Sequence, residues 1–237
     1  MTSKNKDDFA NAKNLFCFWA DDNPMSDIRK KCLESLPNTG LNVQFLDKQS
    51  LNNWILDDHP FHPGYEFLSA THKSDYLRAY FMHHFGGAYS DIKYLDYSWL
   101  PAFNRLIDSD NYIVGYPEVG IIGITRKRGI LFFIKLALKV NKLIGCGAFI
   151  CKPYTPFTEL WINNLHKIMD NNLNMLSINP ANGPLDYTNM KLNDGSRSKY
   201  PLRHASFSGE NFHPVCAKFL NRIDRSLQAP DFTLDYK

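Results

Sequence analysis

Residues 74–78 read S-D-Y-L-R, and seven residues later the chain continues G-G-A-Y-S-D-I-K over positions 86–93. Asp75 and Arg78 are three apart, so on a helix they share one face. A carboxylate beside a guanidinium suits charge-assisted hydrogen bonding to hydroxyls and anions. It also suits a simple ion pair on the surface of an amphipathic helix. Two glycines then lead into a strand that carries Asp91. Side chains alternate along a strand, which would turn Tyr89, Asp91 and Lys93 to one side. Glycines let a ligand approach the backbone closely. An acid at the C-terminal end of a parallel strand stands where α/β proteins build ligand sites.

These residues need a frame, and the apolar pattern supplies one. Residues 14–20, N-L-F-C-F-W-A, read as a buried first strand that ends at D-D-N-P. Ser26 is placed to cap a helix over 27–36, stopped by P-N-T-G, and 41–46 follows as a second strand. Strand, helix, strand in this order predicts a βαβ unit with a parallel sheet. A loop over 57–69 leads to a helix over 70–85, where Leu77, Phe81 and Phe85 form a core-facing stripe. Gly86 and Gly87 stop it. Further strands are expected over 88–92, 112–115, 120–125 and 146–151, with helices over 129–143 and 156–169. The polar residues 1–13 are expected to be flexible. Residues 14–237 then make one α/β domain with a mainly parallel central sheet, and the long irregular stretch from 170 onward is expected to carry function.

Composition narrows the class. Of the 237 residues, 44% are hydrophobic and 22% charged, the balance of a soluble globular chain. A net charge of +3 without a clustered basic face argues against a nucleic-acid partner. Five cysteines with no C-x-x-C pair are expected as reduced thiols. The start lacks an apolar signal core and no run is long enough to span a bilayer, so a cytoplasmic location with at most peripheral membrane contact is expected.

The pattern S-D-x-x-R, seven residues, G-G-x-Y-x-D resembles the donor-binding signature of the DXD-containing sugar-binding glycosyltransferases. That family includes capsular polysaccharide synthesis enzymes, yeast initiating mannosyltransferases and the large clostridial glucosylating toxins. Ser74, Asp75, Arg78, Gly86, Gly87, Tyr89 and Asp91 match in order and spacing. The resemblance covers roughly residues 14–190. It implies a GT-A fold, a nucleotide-diphosphate sugar donor carrying UDP or GDP, a divalent Mn²⁺ or Mg²⁺, and a glycan or glycolipid acceptor held by elements within 170–237.

By the same resemblance, Asp75 would bind donor hydroxyls and Arg78 would lie near the sugar and diphosphate. Asp91 would stand near the ribose and metal, with Gly87 and Tyr89 beside it. Phe18 and Trp19 end the opening strand, where the family stacks the base on an aromatic ring. Gly183 and Pro184 resemble a turn at the donor pocket. His204 and His213 are candidates for a late contact, His213 for the metal, against the more ordinary reading of each as a plain loop histidine.

The chain departs from the pattern at Lys93, where the family has a second acid. An ammonium cannot ligate a hard cation. Three readings stay open: a metal held by Asp91, the diphosphate, water and a later residue; Lys93 itself neutralising the diphosphate; or an inactive enzyme. Two functions follow. One is retaining hexosyl transfer in surface polysaccharide synthesis, and the other is a GT-A-like module that binds nucleotide sugar or glycan without catalysis.

Overall fold

A computed structural model describes residues 3–118 and 139–234. Strand β1 (Asn14–Trp19) is followed by helix α2 (Asp27–Ser35) and β2 (Asn42–Asp47); helix α1 (Ser3–Ala12) precedes them. Helix α3 (Ala70–His84) then leads to β3 (Gly87–Ser90), helix α4 (Leu100–Asp108) and β4 (Ile113–Pro117). Among the described residues β5 (Ile144–Cys151), α5 (Pro156–Asp170), α6 (Leu173–Ile178), α7 (Phe212–Lys218) and β6 (Ile223–Asp224) follow, with short 3-10 turns between elements.

Among the described residues the strands form one mixed sheet in the order β2-β1-β3-β5-β4-β6. The parallel expectation holds for β1–β2, β1–β3 and β4–β6. Strand β5, however, runs antiparallel to both β3 and β4. A strand buried on both faces reads as a continuous apolar run in either direction, so its sequence did not disclose its sense.

Alternation along the strands divides the core in two. Phe16, Phe18, Tyr89 and Phe149 face the layer of α3, α5 and α7. Leu15, Cys17, Ala88 and Ile150 face the layer of α2 and α4. All five cysteines are free thiols. No helix among the described residues is long and apolar enough to cross a membrane.

Three local differences from expectation have physical causes. The polar start is helical rather than frayed, because Phe9 is buried and stacks on Phe103 with ring centroids 4.9 Å apart. Helix α4 has no counterpart in the sequence expectations; it buries Ala102, Phe103 and Leu106. Helix α3 does not lie on the surface with one apolar stripe, since every residue from Asp75 to Met82 is buried. The expected strand over 120–125, and the part of the expected helix 129–143 up to residue 138, lie outside the described residues; Val140–Lys142 forms a short 3-10 turn.

The glycine pair behaves as its sequence suggests. Gly86 (φ +66°) and Gly87 (φ +102°) occupy the left-handed region that glycine adopts without strain. They also serve close packing: a Cβ on Gly86 would lie 2.4 Å from Pro153, and one on Gly87 2.7 Å from the Asn14 carbonyl.

Candidate active site

Strand β1 has parallel partners on both sides, β2 reached through α2 and β3 reached through α3. The chain therefore crosses over β1 between β2 and β3. A crevice opens beyond the strand ends where the connections diverge this way. A cleft of about 340 Å³ lies there, with Trp19 ending β1, Asp21 and Asn23 following it, Tyr89 in β3 and Asp91 just beyond it. Arg78 and Ser74 come from α3, and Arg29 from α2.

The signature residues form one bonded unit. Arg78 Nη2 lies 2.9 Å from Asp75 Oδ1 and 3.6 Å from Asp91 Oδ1. Its Nη1 donates to the Cys146 carbonyl of β5, and its guanidinium carbon sits 4.7 Å from the Tyr89 ring centroid. Tyr89 donates its hydroxyl proton to Asp91 Oδ1 at 2.7 Å. Asp91 is fixed through its backbone as well, its N–H donating to the Gly147 carbonyl at 2.7 Å. Its side chain is 33% exposed, against 3% for Asp75 and 9% for Arg78. Asp75 therefore sits buried behind Arg78, which lines the cleft beside the more exposed Asp91.

Burial sets the electrostatics. It pushes the Asp75 carboxyl up to about 6, opposed by the Arg78 charge and reinforced by Asp91. For Arg78, burial works against the charge, but the facing Tyr89, Asp75 and Asp91 outweigh it and raise its pKa. Burial also raises Tyr89. Among the described residues, Asp75 Oδ2 and Arg78 Nε are buried without hydrogen-bond partners.

Strand β5 makes room for this unit. A Cβ on Gly145 would fall 2.0 Å from the Tyr116 ring, and one on Gly147 would lie 3.1 Å from Asp91 Oδ2 and 3.4 Å from the Tyr116 hydroxyl. Gly145, Gly147 and Tyr116 escaped the sequence reading, as did Arg29. Their signal was the alternating I-G-C-G of β5, legible only once the neighbouring strand was known.

The other sequence candidates divide. Trp19 is on the cleft wall, half-buried, its Nε1–H donating to the Asn23 carbonyl at 2.8 Å. Phe18 reaches the cleft but is mostly core, packed on Phe81 at 5.0 Å and Tyr89 at 5.7 Å. Pro184 is also on the wall; its carbonyl accepts from the Thr71 backbone and hydroxyl at 3.1 and 3.2 Å, which seats the loop on the start of α3. Gly183 lies off the wall and its Cβ position is open. Gly87 stands at the other end of β3 from Asp91, and its role is backbone packing.

Lys93 does not line the cleft with Tyr89 and Asp91. The strand ends at Ser90, and the Lys93 N–H closes a tight turn onto the Asp91 carbonyl at 2.7 Å. The Lys93 ammonium lies over the Phe232 ring at 5.2 Å; burial lowers its pKa, opposed by the nearby Asp91 charge. His213 is buried, with Nε2 2.9 Å from Glu118, and does not line the cleft. His204 is exposed and packs edge-on to Tyr187. Among the described residues no three His, Cys, Asp or Glu side chains converge on one point.

A divalent ion would therefore take Asp91 as its protein ligand. Asp91 Oδ1 is held by Tyr89, which leaves Oδ2 for a hard cation completed by phosphate oxygens and water. That fits Mg²⁺-type sites, where one or two carboxylates suffice alongside substrate phosphates. No family model, curated protein or solved structure matches this chain.

Proposed function

We propose that this protein is a GT-A glycosyltransferase that moves a hexose from a nucleotide-diphosphate sugar to a hydroxyl of a glycan or glycolipid, in surface polysaccharide synthesis. One observation carries the reading. Asp75 and Arg78 come from a helix and Tyr89 and Asp91 from a strand and the turn after it, yet they meet in one bonded unit beside a cleft at the sheet's switch point, which also exposes Trp19.

The parts suit the chemistry. Trp19 offers a flat π face to a base. Arg78 brings positive charge toward the leaving diphosphate, and its fixed geometry requires little reorganisation. Asp91 offers a carboxylate to ribose or sugar hydroxyls, and Asp75 holds Arg78 in register. A divalent ion at Asp91 would add charge neutralisation of the diphosphate. The proton of the acceptor hydroxyl passes to the departing phosphate in this retaining scheme, so no protein base is assigned.

One observation favours a second reading, a module that binds the donor without transfer. Of the signature acids only Asp91 lines the cleft: Asp75 is buried, and the position of the family's second acid holds Lys93, which is not on the cleft wall.

Calorimetric titration with UDP- and GDP-sugars, with and without Mn²⁺, tests both. Donor binding followed by hexose transfer across an acceptor panel supports the enzyme; binding without turnover supports the module. No binding of any nucleotide sugar overturns both. Asp91→Ala is expected to lose transfer by about 100-fold or more while staying folded.

A further inference from the structure

The two walls of the cleft belong to segments far apart in sequence. One wall is the β1–α2 connection with Trp19, Asp21 and Asn23; the other is the end of β3 with Asp91. The chain leaves Asp91 through the tight turn closed by Lys93, whose central residue is Ile92. Arg29 stands in the first turn of α2, where its N–H caps onto Ser26 Oγ at 3.4 Å. Its Nη1 reaches across 63 residues of sequence and donates to the Ile92 carbonyl at 2.7 Å. Two further bonds tie the next residues to the same segment. Ser35 Oγ accepts from the Leu95 N–H at 3.0 Å, and Asn38 Nδ2 donates to the Leu95 carbonyl at 2.9 Å.

The Arg29 bond differs from those two in position. It grips the residue directly after Asp91, and Arg29 itself lines the cleft. On the other side Asp91 is held by Gly147, at 2.7 Å. The carboxylate therefore rides on a short backbone arch with one foot on β5 and the other on α2. Helix α2 continues directly from the wall that carries Trp19.

We propose that Arg29 is a positioning residue: by holding the Ile92 carbonyl it fixes the Asp91 carboxylate relative to the Trp19 wall, and so sets the span between the base-stacking and diphosphate ends of the cleft. The substrate half of this statement rests on the glycosyl-transfer reading; the mechanical half does not. A charge-assisted bond to a carbonyl is stronger than a neutral one, which suits a bridge between separate segments.

The test pairs Arg29→Met with Arg29→Lys in the full chain. Amide hydrogen exchange is read at Lys93 and Leu95 beside the thermal midpoint. In Arg29→Met the Lys93 amide is expected to exchange about tenfold faster, while Leu95, still held by Ser35, and the midpoint change little. Arg29→Lys is expected to recover part of the protection. With the donor the wild type turns over, Arg29→Met lowers kcat more than it raises KM, since misplacing a reacting group costs rate rather than ground-state binding. Unchanged Lys93 exchange overturns the proposal. So does acceleration spread over the whole chain with a fallen midpoint, which marks a general structural role. Faster Lys93 exchange with wild-type kcat overturns the substrate half. Faster Lys93 exchange in a protein whose wild type binds no nucleotide sugar overturns the glycosyl-transfer reading and leaves the mechanical half standing.

Discussion

Three glycine-to-alanine changes separate the steric design of the cleft from the stability of the fold. At Gly147 an added Cβ would meet Asp91 Oδ2 at 3.1 Å and Asp91 Cγ at 3.5 Å. That contact is tighter than ordinary van der Waals distance by a few tenths of an ångström, so the carboxylate must shift by that much. The backbone there is not left-handed, so alanine itself is unstrained and restricts the unfolded chain, a gain of about 0.4–1 kcal/mol. The expected result is a stability within about 1 kcal/mol of wild type. Turnover falls by roughly fourfold, on a scale where 1 Å of misplacement costs about 100-fold. Gly145→Ala is the opposite case. Its Cβ would fall 2.0–2.2 Å from a Tyr116 ring that is only 7% exposed and has little room to retreat. Overpacking of that kind costs about 1–3 kcal/mol or more, a fall in melting midpoint of roughly 5–10 °C. Gly183→Ala meets nothing within 4 Å and serves as the control, with an unchanged midpoint. Thermal melts and donor turnover on the three purified variants decide the matter. Wild-type turnover in Gly147→Ala refutes the claim that the Asp91 position matters, and a wild-type midpoint in Gly145→Ala refutes the steric argument.

Asp75 predicts a pH dependence. Its folded-state pKa of about 6 is above the ordinary 3.8, so the stability it contributes is fully present below about pH 4 and lost as pH rises through 6. Urea melts of wild type and Asp75→Asn at pH 4 and pH 7 should therefore differ in their pH trend by on the order of 3 kcal/mol, with the wild type losing ground toward pH 7; parallel trends would count against it. Gly86→Ala forces alanine into a left-handed turn with its Cβ 2.4 Å from Pro153, and is expected to cost roughly 2–4 kcal/mol in a chemical melt. Lys93→Ala is expected to change donor affinity by less than about threefold while Arg78→Ala lowers it by about 100-fold, read by calorimetry; equal losses would return Lys93 to the cleft.

Much of the frame was legible because it is local. Ser26 caps α2 as its sequence position suggests, the glycine pair stops α3, and β1, β2 and α5 fall within a residue or two of their apolar runs. The S-D-x-x-R and G-G-x-Y-x-D spacing put Asp75 and Arg78 on one helix face and Tyr89 and Asp91 on one side of the segment after the glycine pair; their meeting in one bonded unit is read from the structure.

Non-local pairing decided the rest. The sense of β5 depends on which neighbours it joins, and its apolar run is blind to that. Helix α3 reads as amphipathic, yet Asp75–Met82 are buried all round because the sheet, α5 and the 56–62 loop close over them, the loop bonding Tyr76 and Tyr80. Lys93 follows strand alternation only if the strand continues, and the turn at Ile92, bonded to Arg29 from another segment, ends it. Periodicity determined which residues share a face. Hydrogen bonds between segments far apart in sequence decided which of those faces meets the cleft, because their partners are chosen by the packing of the whole chain.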